Sequence, residues 1–295
     1  MQRPLTPDAL VTIFRHNIAS PHLCRQIITK MAPLRDITGR NAFRENNKAE
    51  DLSDIILKLF KLHERVVSIQ EFALWATHAL SFRAEDREHF TAAGVCDAVV
   101  SSLRRHQSKE EVVNQALWAV QNLSQNEDAL QKFVGNKLCE LVVSCLRQHE
   151  SSKRITVRAL RAIRELSMDD QGTKEFTIAK VIQAIVPCLR RYINDADVVL
   201  DGVWALRNLF SKNEKGVKQF AAAGGCKLML SCLRKHRTHA KLLKHGFWAI
   251  TNILGVGMIE KFVGAGACDD VVFGVQQHGL SQRDAMVKSE GLLSV

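Results

Sequence analysis

The residues of this chain best equipped for chemistry recur along it instead of gathering in one place. The eight cysteines include two pairs with five residues between their members, Cys139 with Cys145 and Cys226 with Cys232, which invites a metal or redox reading. Histidine closes the same phrase repeatedly, in LRRH at His106, LRQH at His149, LRKH at His236 and VQQH at His278, with Tyr192 closing LRRY. Tryptophan stands four residues before asparagine at Trp118 and Asn122, Trp204 and Asn208, and Trp248 and Asn252. Four residues is one helical turn, so each ring and its amide share a helix face. Complete P-loop, HExxH, GxSxG and GxGxxG motifs are absent; GVGMIE at 255–260 and GAGACDD at 264–270 both lack the third glycine. No enzyme is expected, and no cofactor or metal.

Alignment of the chain on itself tests each of these sets. Cys96, Cys139, Cys226 and Cys268 share a repeat position with Ile182, and Cys145, Cys188 and Cys232 share one with Ser102 and Gly274. Exchange with isoleucine, serine and glycine is what small buried positions allow, and repeats stacked about 10 Å apart lie beyond disulfide reach. The histidines follow an apolar helical face directly, in its last turn, where a cationic side chain meets the negative end of the helix dipole for about 0.3–1 kcal/mol each. Tyr192 in that column fits packing or capping, not metal binding. The same helix ends carry Arg104, Arg105, Arg147, Arg190, Arg191, Arg234 and Lys235, a basic stripe able to hold phosphates. No aromatic residues interleave with it to stack bases, so nucleic acid is not the expected partner.

The elements that position these residues follow from one period of 43 residues, within a residue. Trp75, Trp118, Arg161, Trp204 and Trp248 form one column; Phe90, Phe133, Phe176, Phe220 and Phe262 form another; His63, His106, His149, Tyr192, His236 and His278 form a third. Each unit reads as three helices, with 126–168 as the specimen: NEDALQKFVGN, KLCELVVSCLRQH and SSKRITVRALRAIRELS. Leu138, Leu141, Val142, Cys145 and Leu146 mark one apolar stripe of helical period on the second. Gly94, Gly224 and Gly266, with Asn136 or Gly135 in another unit, suit the corner between the first two helices, whereas FTIAKV offers no such residue and predicts a less sharp corner.

This three-helix unit, with its ALWALxNL-like third helix, resembles the armadillo repeat over almost the whole chain. The resemblance implies an all-α, right-handed superhelical solenoid of about six three-helix repeats: an N-terminal capping partial repeat at 1–40, five repeats at 41–254 and an incomplete one at 255–295. In armadillo proteins similar to importin alpha and beta-catenin, third helices line a concave groove that holds an extended peptide. Tryptophans bracket its side chains there, and asparagine amides satisfy its backbone. Carried onto this sequence, the groove residues are Trp75, Trp118, Asn122, Arg158, Arg161, Arg164, Trp204, Arg207, Asn208, Lys244, Trp248 and Asn252. Two rungs depart from the pattern: Trp75 is followed by Ala79, and Arg161 with Glu165 replaces both members of another.

Charge on this face reads as basic, through Arg158, Arg161, Arg164, Arg207 and Lys244. That implies an acidic or phosphorylated extended segment, as in the beta-catenin arrangement, and disfavours the basic peptides of importin alpha. The alternatives are a docking segment of a larger protein, self-associating through its C-terminal end, and an importin-like transport adaptor. A formal net charge of +10 steers acidic partners generally. No run approaches 18 apolar residues and no export leader opens the chain, so a cytoplasmic, possibly also nuclear, location without membrane insertion is expected.

Overall fold

The computed structural model describes residues 7–31, 49–211 and 213–257. Phe262, Gly266, Cys268 and His278, with most of the expected C-terminal partial repeat, lie outside the described residues. Every regular element among the described residues is a helix. The contacts divide the chain into two compact units, Met1–Leu141 and Val142–Val295.

The first unit holds α1 (Pro7–Asn17), α2 (Pro21–Met31), α3 (Ala49–Leu62), α4 (Val67–Leu80), α5 (Ala84–Ala92), α6 (Val95–Arg105), α7 (Glu110–Leu123), α8 (Glu127–Gly135) and the start of α9 (Leu138–Gln148). The second continues with α10 (Lys153–Leu166), α11 (Asp170–Ile178), α12 (Ile182–Arg191), α13 (Ala196–Leu209), α14 (Glu214–Ala222), α15 (Gly225–Lys235) and α16 (Ala240–Leu254). Third helices make the densest packing in each, α4 on α7 in the first and α10 on α13 on α16 in the second.

Sequence periodicity becomes layering directly. The phenylalanine column, Phe90, Phe133, Phe176 and Phe220, is sealed in first helices, and Leu103, Leu146, Leu189 and Leu233 are sealed at the ends of second ones. Third helices turn Ala73, Ala116, Ala159, Gly202 and Gly246 toward that interior. A Cβ built on Gly202 would sit 2.7 Å from Leu189 Cδ2, so the glycine sets how closely the two helices approach. Some helix starts are fixed by side chains, as where Asp169 accepts from the Gly172 N–H and Asn126 from the Ala129 N–H, both at 2.9 Å.

The corner at Lys180 departs from expectation. Gly94 and Gly224 take left-handed φ of 86° and 71°, but Lys137 and Lys180 both take 57°, so FTIAKV turns as tightly as its neighbours. The Val181 N–H closes back onto Phe176 O at 3.0 Å, which holds the strained residue between them.

Candidate functional site

The seven described cysteines are buried, and burial pushes the Cys96 thiol up to about 11 and the Cys145 and Cys232 thiols up to about 12. No cluster of three metal-ligating side chains exists among the described residues. Three polar ladders recur along the described repeats: the histidine column, the basic stripe and the tryptophan and asparagine rungs.

Two of those ladders bind the chain to itself. His63, His106 and His236 each donate Nε2–H to a carbonyl one repeat back, on Ile18 (2.6 Å), Glu64 (2.7 Å) and Ile193 (2.8 Å). The Tyr192 hydroxyl reaches Glu150 O in the same way. The column needs a ring-borne donor, which histidine and tyrosine share, so it is an inter-repeat staple and not the dipole partner expected from its place at the helix end. The basic stripe is spent likewise. Arg104, Arg147 and Arg190 donate to corner carbonyls of the following repeat, on Asn136, on Ala179 with Lys180, and on Ala223. Arg105 and Arg191 pair with Glu64 and Glu150, each at 3.0 Å.

On the third helices a single arrangement repeats, counted from the tryptophan column. The residue three after the column on one helix does three things to the next helix. It stacks on the next tryptophan, its side chain pairs with the residue three before that tryptophan, and its carbonyl accepts from the asparagine four after. In the first unit this residue is His78: its ring lies 4.2 Å from that of Trp118, it donates to Gln115 Oε1 at 2.6 Å, and it accepts from Asn122 Nδ2 at 2.8 Å. Gln115 in turn donates to Glu111.

In the second unit Arg164 and Arg207 take that place. Arg164 lies over Trp204 at 4.4 Å, reaches Asp201 at 3.5 Å and accepts from Asn208 at 3.0 Å. Arg207 lies over Trp248 at 3.6 Å, donates to His245 Nδ1 at 3.0 Å and accepts from Asn252 at 3.1 Å. His245 covers Trp204 at 3.9 Å, and Lys241 stands over the same ring. Burial, with Arg207, Lys241, Lys244 and Arg164 around it, pushes the His245 imidazole down to about 4, so it is a neutral acceptor at pH 7.

The expected groove residues therefore separate. The asparagine N–H groups, which the resemblance assigns to a bound peptide, donate to the chain's own carbonyls. Arg164 is committed internally as well: it pairs with Glu165 and Asp201, and its side chain is 16% exposed. Arg161 spends only Nε, on the buried Asp201 at 2.7 Å, and stays 32% exposed. Arg158 is half-buried beside it, and Lys244 is exposed. Trp75, Trp118 and Trp204 are half-buried, whereas Trp248 is 47% exposed. Trp75 packs 5.5 Å from Phe72 and has no asparagine to follow it. Gln115, Asp201 and His245 lie three before the tryptophan column, on the face read from the sequence, and His78 lies three after it; their bonds to one another, and not their place, are what the sequence leaves unread.

Residues 82–271 match the family model described as the LRRK2 ARM repeat. The chain belongs to that family. Solved structures agree on the armadillo fold. An engineered protein is 20% identical with a TM-score of 0.67, covering 85% of this chain and 97% of its own. A designed armadillo repeat protein in complex with a (KR)4 peptide is 19% identical at TM-score 0.59, covering 84% and 99%. A structure from a study of the phosphorylation switch in the cadherin and beta-catenin interaction is 12% identical at 0.59, covering 98% and 65%. No curated protein matches the sequence. At these identities the structural likeness carries the fold alone: an all-α armadillo solenoid. No described helix is long and apolar enough to cross a membrane.

Proposed function

We propose that the chain is a non-enzymatic binding module whose second unit takes an extended acidic segment of a protein partner on its third helices. One observation carries this. The third helices of that unit, α10, α13 and α16, hold eight lysines and arginines against three carboxylates, while α4 and α7 hold three carboxylates and no lysine or arginine. Asp201 and Glu165 offset part of the excess. Lys241 and Lys244 remain exposed, beside the open ring of Trp248. Recognition of the segment rests first on these charges and on the aromatic faces, since each asparagine already spends one amide N–H on the chain's own backbone.

Binding of a short Asp/Glu-rich peptide to the full chain tests the reading. The double substitution Lys241→Glu, Lys244→Glu is expected to weaken it about tenfold or more, like-charge contacts replacing attractive ones. Glu110→Lys with Glu111→Lys, on the third helix of the first unit, should not weaken it. Tighter binding of a Lys/Arg-rich peptide, or equal binding by wild type and the Lys241, Lys244 variant, would discard the proposal.

A further inference from the structure

We infer that the cleft between α3 and α6 in the first unit is a receptor site for one arginine side chain of a protein partner. Second helices and the corner between them build it, not the third-helix face proposed above for an acidic segment. Its cavity measures about 310 Å³, near the lower end of ligand pockets and ample for a single long side chain.

The later repeats supply the template. Arg104, Arg147 and Arg190, at one position of the second helix, each donate Nη2 to a corner carbonyl of the following repeat: Asn136 O at 3.1 Å, Ala179 O at 3.3 Å and Ala223 O at 2.7 Å. In α3 that position is Lys61. The equivalent carbonyl, Ala93 O, accepts a hydrogen bond from no described residue, and Lys61, Ala93 and Gly94 border the cavity instead.

Two corners of nearly one sequence make the comparison direct. TAAGVC at 91–96 and AAAGGC at 221–226 both turn on a left-handed glycine, Gly94 and Gly224. A Cβ built on Gly224 would lie 3.5 Å from Arg190 Nη2, whereas one built on Gly94 meets nothing within 4 Å. The same backbone corner thus carries an arginine head in the second unit and opens onto a cavity in the first.

The chemistry of the walls fits the same guest. Leu57, Phe60 and Ala98 give an apolar surface for a stem, and Ala98 stands where later repeats fill the space with the buried Leu141 and Leu228. Asp97, exposed at the mouth, accepts from the uncharged Asn136 Nδ2 at 2.6 Å and pairs with no described cation. Ser102, in the wall, is 4% exposed, and its hydroxyl has no partner among the described residues. Glu64 is already paired with Arg105. A planar fork on a long stem can donate to the Ala93 carbonyl and the Asp97 carboxylate together; the point charge of a lysine suits this less well. As with Arg190, whose backbone stays in α12, only the guest's side chain enters, so its main chain belongs to a partner outside the cleft.

Titration of the full chain with a short, otherwise uncharged peptide carrying one arginine tests this, followed by amide NMR shifts at Gly94, Asp97 and Ser101. Those shifts should saturate, with affinity at least about tenfold above that of the same peptide carrying lysine or citrulline. Lys61→Arg supplies the side chain from within, and Ala98→Leu fills the cavity; both, each checked for a cooperative melt, should abolish the shifts. Lys61→Ala removes a like charge from the mouth and should tighten binding. The absence of saturable shifts at this corner, equal affinity for the lysine peptide, or wild-type binding by Lys61→Arg overturns the site, and none of these bears on the Asp/Glu-rich peptide of the acidic-segment reading. Free arginine binding more tightly than the peptide would make the guest a small molecule and also defeats the inference.

Discussion

The α4/α7 contact of the first unit and the α10/α13/α16 contacts of the second use one geometry with opposite chemistry. In both, an asparagine amide holds a carbonyl of the preceding helix, at 2.8, 3.0 and 3.1 Å. In both, the same residue stacks on the next tryptophan. The side-chain pair completing the contact joins His78 to Gln115 in the first unit and brings in an arginine in the second, Arg164 with Asp201 and Arg207 with His245. Bonds to the backbone set the stacking of the helices. The paired side chains are then free to vary, and they decide what charge the face presents without altering the stack.

The largest effect should come from removing a charge where the first unit has none. Asp201→Ala leaves Arg161 and Arg164 facing each other without their shared counter-ion, and loss of one partner from a buried ion pair costs about 3–5 kcal/mol. Gln115→Ala, at the equivalent position of the first unit, deletes the hydrogen bonds to His78 and to Glu111, together worth about 2 kcal/mol. Urea denaturation of the two variants separates these outcomes. Equal losses would mean that the ionic contact carries no more of the stack than the contact through Gln115.

A loss of about 3 kcal/mol is expected as pH falls, from the displacement of the His245 pKa from 6.5 to about 4. His245 titrates near 4 in the folded chain against 6.5 for the free group, so the unfolded chain takes the proton first as pH falls. Its contribution is complete above about 6.5 and is lost between there and about 4. His245→Gln installs the residue type that the first unit uses at that position, Gln115, and should flatten this part of the stability curve. An unchanged slope would place the acid sensitivity elsewhere.

This lattice explains what the sequence made legible. The phenylalanine column keeps one residue type, and the tryptophan and histidine columns depart from theirs once each, at Arg161 and Tyr192, so all three lead directly to three-helix repeats. The pair across each third-helix contact keeps no type. Its members lie 37 residues apart at His78 and Gln115 and at Arg164 and Asp201, and 38 apart at Arg207 and His245. Each pair satisfies itself with different atoms, so alignment by identity passes over it. Averaged over all third helices, the face read as basic. Only the division into two units shows that the basic residues belong to α10, α13 and α16, while Glu71, Glu110 and Glu111 are the charges of α4 and α7. The histidine column was visible and its role was not, since a ring at a helix end is compatible with a dipole contact until its acceptor one repeat back is known.

The smallest effects should come from the corners, where the two units are alike. At the described corners between first and second helices each unit has one glycine and one lysine at positive φ: Gly94 and Lys137 in the first, Gly224 and Lys180 in the second. A Cβ added at Gly94 meets nothing within 4 Å, so Gly94→Ala isolates the cost of the left-handed backbone, about 1 kcal/mol. The reverse change, Lys137→Gly or Lys180→Gly, relieves a similar strain but gives the unfolded chain about 0.5–1 kcal/mol of extra freedom, so the two terms nearly cancel. Shifts within about 0.5 kcal/mol are expected for both lysine variants in urea. A clear gain at Lys180 alone would mean that strain, as well as charge, is concentrated in the second unit, and that its corner is held by the packing of Val181 against α11 more firmly than the shared φ of 57° indicates.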